Sequence, residues 1–166
     1  MTGAWYIGVD PASSTAGIAA FDEAGTLLTH EIHVRGQMPD RLVALRQEAR
    51  AWLSPLADQG AWCAVIERPS TRHGGATLLA SYGVFVEAAA SVLACPVLTL
   101  VPTEIDAAAS VPQSSSPCLP RKSRTFAYAR TLGYTGTSQD VADAVVCAEA
   151  ARVLTLRTTT RTKTAA

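Results

Sequence analysis

The chain has 166 residues, of which 48% are hydrophobic and 17% are charged. This composition predicts one globular domain with a substantial buried core and excludes a disordered chain. The 14 basic and 14 acidic residues cancel, so the chain as a whole has no net attraction for a polyanion. Eight basic residues but only three acids follow Val111, which makes the C-terminal third a candidate surface for one.

The sequence also indicates a compartment. No apolar segment is long enough to cross a bilayer, and no basic stretch precedes an apolar one at the N-terminus, so we expect neither a membrane anchor nor a signal peptide. The four cysteines lie far apart, without a CxxC pair. We therefore expect inert thiols in a reducing, cytoplasmic compartment rather than a zinc site or a disulfide framework.

The first third of the chain predicts three strands and a helix. Trp5–Asp10 is an apolar run that ends in a carboxylate, and residues 16–21 form a second apolar run after a turn of small residues. This pair indicates a β-hairpin. Residues 26–35 predict a third strand, and a helix opens at Pro39 and Asp40.

Strands and helices then alternate. Ala61–Glu67 is a predicted fourth strand, again apolar until it ends in a carboxylate, and residues 96–101 form a fifth. The segment 76–94 is apolar around most of its circumference, which is typical of a helix covered on more than one side. A short helix should begin at Thr103, because Thr103 and Asp106 have capping-box spacing.

The last part of the chain predicts an irregular stretch and two helices. Residues 111–120 are rich in Pro and Ser, helix should resume at Arg121, and the final helix should span 139–156. Residues 158–166 form a basic tail that we expect to be mobile, which leaves 1–157 as the domain. The order of elements predicts an α/β fold with a five-stranded mixed sheet flanked by helices.

Four carboxylates fall where such a fold can gather them. Asp10 and Glu67 each end a strand. Asp140 and Asp143 open the final helix three residues apart, which puts them on one face of it. Each acid alone has a simpler explanation, such as a turn residue or a favourable charge at a helix N-terminus. Together they predict one acidic cluster.

Such a cluster repels itself unless cations neutralise it. Hard divalent cations with oxygen ligands do so, and we expect Mg²⁺, with Mn²⁺ as a substitute. Two such ions, about 3.5–4 Å apart, support phosphodiester hydrolysis in many enzymes. The sequence therefore predicts that the four acids are catalytic metal ligands.

Three segments resemble one protein family. The stretches IGVDPASSTAGIAAFD, AVIERPS and KSRTFAYARTLGYTGTSQDVADAVVCA are similar to the RuvC family of Holliday junction resolvases, which have an RNase H-like fold. The resemblance covers nearly the whole chain. It implies that Asp10, Glu67, Asp140 and Asp143 match the family's catalytic acids. It also implies a crossover junction endonuclease that nicks two strands of four-way DNA and leaves 5′-phosphate ends.

The sequence departs from the family pattern in three places. Ala12 stands where the family commonly has Gly after Asp-Pro, and the loop after Glu67 lacks the aromatic residue that often follows the family's Glu. A family lysine near the start of the 111–120 region also has no match. This looser match is typical of a divergent relative, for instance one carried by a phage or a plasmid.

Six residues are candidate DNA contacts. Lys122 matches a functional basic residue of the family, and its helix start carries two arginines with no acid nearby in the sequence to pair them. The loop after Glu67 contributes three more, because loops beside a site often bind substrate. The six are Arg121, Lys122, Arg124, Arg68, Arg72 and His73. An ordinary solvated helix face and loop are the alternative.

Two other functions stay open. The opening hairpin also resembles the first phosphate motif of sugar kinases, which transfer phosphate from ATP. Those proteins carry a second nucleotide-binding half, for which 166 residues leave no room. The other alternative is a junction-binding protein without catalysis, and the presence of all four acids argues against it.

The apolar helix 76–94 is the candidate dimer interface, with Phe85 at its centre. Resolvases of the family pair through the corresponding helix, and a junction with two symmetric strands to cut suits a two-fold dimer. A helix sandwiched inside the monomer is the alternative.

Overall fold

The computed structural model describes residues 4–69, 75–113 and 120–164, with side chains as far as residue 159. Three strands come first, namely β1 (Trp5–Asp10), β2 (Thr15–Phe21) and β3 (Leu27–His33). The elements that follow are α1 (Asp40–Gln59), β4 (Ala61–Glu67), α2 (Ala76–Val92), β5 (Val97–Leu100), α3 (Pro102–Ala108), α4 (Arg121–Thr131) and α5 (Gln139–Thr164).

The strands form one five-stranded sheet in the order β3-β2-β1-β4-β5. The first three strands are antiparallel neighbours, whereas β4 runs parallel to both β1 and β5. Antiparallel pairing follows from the short turns between the first strands, and parallel pairing follows from the helical crossovers between the later ones. The predicted α/β fold with a mixed five-stranded sheet flanked by helices is confirmed.

Helices cover both faces of the sheet. On one face α5 lies across β1, β2 and β4, with α3 and α4 packed against it, while α1 and α2 pack together on the other face. Side chains of a strand point alternately to its two faces. In β4, Val65 therefore enters the core beneath α5, and Ile66 enters the core beneath α1 and α2.

Two glycines let α5 lie unusually close to the sheet. A Cβ atom at Gly8 would stand 2.1 Å from the carbonyl oxygen of Ala144, and one at Gly17 would stand 2.1 Å from that of Asp140. Both contacts are with helix backbone, which cannot rotate away as a side chain can. Since Gly17 pairs with Asp10 across β1 and β2, the same contact brings the start of α5 next to the end of β1.

Helix α5 continues to Thr164, beyond the predicted end at residue 156. Threonine lowers helix propensity, but here its hydroxyls turn back onto the helix. Thr155 donates to the carbonyl of Ala151, and Thr159 donates to that of Thr155. The mobility of 158–166 and the domain limit at 157 stay predictions.

The start of α3 also differs from the expectation. The helix begins at Pro102, and the carboxylate of Glu104 accepts a hydrogen bond of 2.9 Å from the backbone N–H of Val101. Glu104 therefore takes the capping position that the sequence pattern gave to Asp106. Asp106 is instead buried, with 6% of its surface exposed.

The apolar helix predicted over 76–94 is found as α2, and its two sides differ. Phe85 is 1% exposed within a single chain and belongs to the core beneath α1 and α2, so it does not lie at the centre of a surface seam as expected. Leu79 is 45% exposed, and Gly83 and Ala90, which lie on the same side of α2, are exposed too. One side of α2 thus serves the monomer core, and the other carries exposed apolar and small residues.

The three cysteines of the described residues form no disulfide bond. Cys63, Cys95 and Cys147 are free, whereas Cys118 lies outside the described part of the chain. Burial raises the pKa of Cys147 well above its ordinary value, and the nearby carboxylate of Glu67 raises it further, so this thiol stays protonated. Among residues 4–69, 75–113 and 120–164, no helix has the length and apolar character to span a membrane.

The contact at Gly17 gives a first prediction. Gly17→Ala should lower the free energy of unfolding by about 1–3 kcal/mol, because the added methyl group overlaps the backbone of α5 and cannot be accommodated without moving it. Gly75→Ala is the matched control: its Cβ would meet nothing within 4 Å, and its φ of −62° is one that alanine adopts readily. Urea unfolding measures both. Equal midpoints for Gly17→Ala and the wild type would contradict the close approach.

Candidate functional site

The four predicted acids meet at one cavity of about 360 Å³ at the carboxyl ends of β1 and β4. Its charged lining residues are Asp10, Glu67, Asp140, Asp143, Arg121 and Lys122. A second cavity, of about 430 Å³, lies between β3 and the loop that precedes α5. The one carboxylate that lines it, Glu31, accepts a hydrogen bond from Ser138 and pairs with His33. The first cavity differs from it in gathering four carboxylates.

Two of the acids are neighbours because their strands are. Val9 of β1 is in register with Ile66 of β4, so the next residues, Asp10 and Glu67, emerge side by side from parallel strands. Burial raises the pKa of Asp10 well above its ordinary value, and the charges of Glu67 and Asp143 raise it further. Burial likewise raises the pKa of Glu67 to about 7, against the opposing effect of Arg121.

The two acids of α5 are held by hydroxyl donors from other elements. Thr15, at the start of β2, donates a hydrogen bond of 2.7 Å to Asp140. Thr125 of α4 donates one of 2.6 Å to Asp143, and the side-chain amide of Gln139 donates another of 3.1 Å. Asp143 is 4% exposed, and its burial raises its pKa despite these donors. Both carboxylates are thereby fixed in orientation at the cavity.

A fifth acid, Asp106, contacts two arginines beside the cavity, which the sequence did not predict. Contrary to the expectation that no acid lies near the arginines of α4, Asp106 accepts from Nε of Arg121 at 3.1 and 3.2 Å and pairs with Arg124 at 3.9 Å. Arg121 also reaches Glu67, at 3.3 Å. In the sequence Asp106 has the spacing of a helix cap, and nothing local links it to a partner fifteen positions later.

The other predicted DNA contacts occupy different positions. Lys122 is exposed and lines the cavity, and Arg68 is exposed just beyond the end of β4. The guanidinium of Arg124 bonds weakly to the carbonyl of Pro112 and the side chain of Gln113, at 3.5 and 3.4 Å. Arg72 and His73 lie outside the described residues. The DNA-binding roles of all these residues stay predictions.

The donor set fits hard divalent cations. Four carboxylates converge on one cavity, and the raised pKa values of three of them indicate that their ionised forms lack sufficient compensation there. Within the described parts of the chain, however, no three acidic, His or Cys side chains already stand in an arrangement that can hold a metal ion. Asp140 and Asp143 accept hydrogen bonds from protein donors and Glu67 is paired with Arg121, so part of the lone pairs of these carboxylates is already engaged.

Comparison with solved structures shows which known proteins share this fold. No protein-family model and no curated protein sequence matches the chain. A structure of Thermus thermophilus RuvC in complex with a Holliday junction substrate aligns with a TM-score of 0.73 and 14% identity, over 93% of this chain and 96% of that one. A second structure of Thermus thermophilus RuvC aligns with a TM-score of 0.70 and 15% identity, over 93% and 97%. The fold is RuvC-like.

This RuvC-like fold agrees with the resemblance found in the sequence and extends over nearly the whole of both chains. At 14–15% identity the comparison establishes the fold. The argument for function therefore depends on the cavity itself, that is, on which side chains the RuvC-like fold gathers there.

Proposed function

We propose that the protein is a metal-dependent, structure-selective endonuclease that resolves four-way DNA junctions by paired nicks. The observation that supports this most directly is the convergence of Asp10, Glu67, Asp140 and Asp143 on one cavity. The RuvC-like fold supports the same proposal, because one of the aligned RuvC structures is in complex with a Holliday junction substrate.

In this proposal Asp10, Glu67, Asp140 and Asp143 hold two Mg²⁺ ions, and Mn²⁺ can replace them. When bound, the ions would supply an activated water for attack on the phosphodiester and neutralise the charge that develops on the leaving oxygen, which leaves 5′-phosphate ends. Thr15 and Thr125 orient the carboxylates of α5 through their hydroxyl groups. Asp143 is buried and the other three acids are partly buried, which limits competition from bulk water for the same oxygens.

We propose that exposed basic side chains hold the phosphate backbone around this cavity. Lys122 is the leading candidate, because it lines the cavity and is exposed to solvent. Arg68, at the end of β4, is a second. Arg72 and His73, which follow Glu67 in the sequence, stay candidates for the same role, and Arg121 and Arg124 would contribute positive potential from within α4.

Replacement of the acids tests the nuclease proposal. Asp10→Asn, Glu67→Gln and Asp143→Asn should each lower cleavage of a synthetic four-way junction in Mg²⁺ by more than about 100-fold, because even the partners of metal ligands contribute 10–100-fold. Junction binding should persist or tighten, since each change removes a negative charge near the phosphates. Gel assays of binding and nicking measure both.

The matched control is Asp58→Asn, which removes an exposed acid of α1 and should cut at the wild-type rate. Ca²⁺ in place of Mg²⁺ should preserve binding and suppress cutting, since it takes the same oxygens in a looser geometry. Near wild-type cleavage by any of the three site variants would refute the assignment.

We also propose that the protein acts as a two-fold homodimer paired through the outward side of α2. Leu79, Gly83, Val86 and Ala90 follow one another at helical spacing along that side, and the small residues permit close approach of a second helix. The burial of Phe85 in the monomer core moves the proposed seam to this stripe.

A charge on this stripe tests the dimer. Leu79→Glu should shift the protein to monomers and reduce paired nicking more than single nicking, because a carboxylate buried at an apolar interface costs several kcal/mol. Light scattering and a cruciform plasmid assay measure the two effects. Leu28→Glu is the control: it replaces a leucine of similar exposure, 40% against 45%, in the edge strand β3, and this variant should stay dimeric. A Leu79→Glu protein that remains dimeric and resolves junctions would place the interface elsewhere.

A further inference from the structure

Arg121 joins a buried acid to one of the site carboxylates. Its side chain is 24% exposed, and its guanidinium lies between Asp106, whose side chain is 7% exposed, and Glu67, whose side chain is 15% exposed. Nε donates to both oxygens of Asp106 at 3.1 and 3.2 Å, and Nη2 lies 3.0 Å from Asp106 and 3.3 Å from Glu67. The planar fork of arginine can contact two carboxylates in this way, which lysine cannot reproduce.

The Asp106 contacts fix where the Arg121 charge stands. A carboxylate with 7% exposure that lost its guanidinium would be a nearly unpaired buried charge, so the pair is held together strongly. Arg124 approaches Asp106 only to 3.9 Å and does not replace the fork. Arg121 is therefore anchored from behind and presents one nitrogen to Glu67 at the cavity wall.

Among the described residues, this is the one ion pair made by any of the four site acids. Lys122 lines the same cavity but forms no salt bridge within the described part of the chain. The positive charge closest to the cluster is thus supplied by the protein itself, and it is directed at an oxygen that the proposed function assigns to a metal ion.

We propose that Arg121, positioned by Asp106, is a built-in counter-cation that competes with divalent metal ions for Glu67. The inference rests on the proposed function, since it assumes that Glu67 is a metal ligand. A cation at Glu67 and a guanidinium 3.3 Å from the same carboxylate repel each other, so metal binding must weaken or displace the Arg121 contact. In return, Arg121 keeps the crowded carboxylates folded together at low metal concentration.

Arg121 could have two roles other than competition, and each predicts an effect on metal affinity that differs from that of competition when Arg121 is replaced. If Arg121 mainly holds a DNA phosphate, its replacement weakens DNA binding and leaves metal affinity unchanged. If it only supports the fold, its replacement lowers the melting temperature and again leaves metal affinity unchanged or weaker. Competition alone predicts tighter metal binding when the guanidinium is removed.

The experiment is a titration of Mn²⁺ into the full chain without DNA, followed by electron paramagnetic resonance of free Mn²⁺ and by calorimetry. Arg121→Gln should bind Mn²⁺ about tenfold more tightly than the wild type. Its melting temperature should be lower than that of the wild type in chelator and should rise more on addition of Mn²⁺, because a ligand stabilises the state that it binds.

A double variant and a control remove the remaining ambiguities. Asp106→Asn/Arg121→Gln removes the buried charge of Asp106 together with that of its partner and keeps the net charge of the chain, so its Mn²⁺ affinity should still exceed that of the wild type, by about threefold or more. It also decides the question if Arg121→Gln alone does not fold. Arg124→Gln removes the same charge one turn away without any contact to Glu67 and should change the affinity by less than about twofold.

Unchanged or weaker Mn²⁺ binding by both Arg121 variants would overturn the competition. The failure of the proposed function has a separate signature: the wild type would bind no Mn²⁺, or Asp10→Asn would bind it equally well. A chain that binds Mn²⁺ through Asp10 but ignores the loss of Arg121 would keep the proposed function and lose this inference.

Discussion

The direct packing of α5 on β1 and β2 is the contact on which the rest of the site depends. Gly8 and Gly17 leave room for helix backbone where any side chain would overlap it, and the buried length of α5 is built from small residues that fit the gap. The closeness matters because Asp10 and Asp140 come from elements 130 positions apart in the chain. A helix held a few ångströms higher would separate the acids of α5 from those of the strands.

Close packing of like charges is electrostatically unfavourable, and several kinds of neighbouring group compensate for the repulsion. Burial raises the pKa of Asp10 and Asp143 and brings that of Glu67 to about 7, and the charges of neighbouring acids add to the rise at Asp10 and Glu67. Within the protein, hydroxyl donors such as Thr125 at Asp143 and the guanidinium of Arg121 offset part of this repulsion. Divalent cations would relieve the remainder, which is why a cluster that is unfavourable by itself suits a metal-dependent reaction.

Much of this architecture is predictable from sequence because its signals are local. A strand that ends in an acid is visible in Asp10 and Glu67, and parallel pairing brings such ends together. The arginine contact was missed because Asp106 has the spacing of a helix cap while its partner lies in another helix. The side of α2 that Phe85 occupies was also hidden, since a helix that is apolar all round has no preferred face in its sequence.

Anomalous scattering from crystals grown with Mn²⁺ would test the central claim most directly, because it locates the ions relative to named side chains. The account predicts one or two peaks inside the cavity within coordination distance of Asp10 and of at least one acid of α5, with the Arg121 contact to Glu67 lengthened or lost. A cavity without a peak at Mn²⁺ concentrations that support cleavage, or peaks only on surface carboxylates, would contradict it.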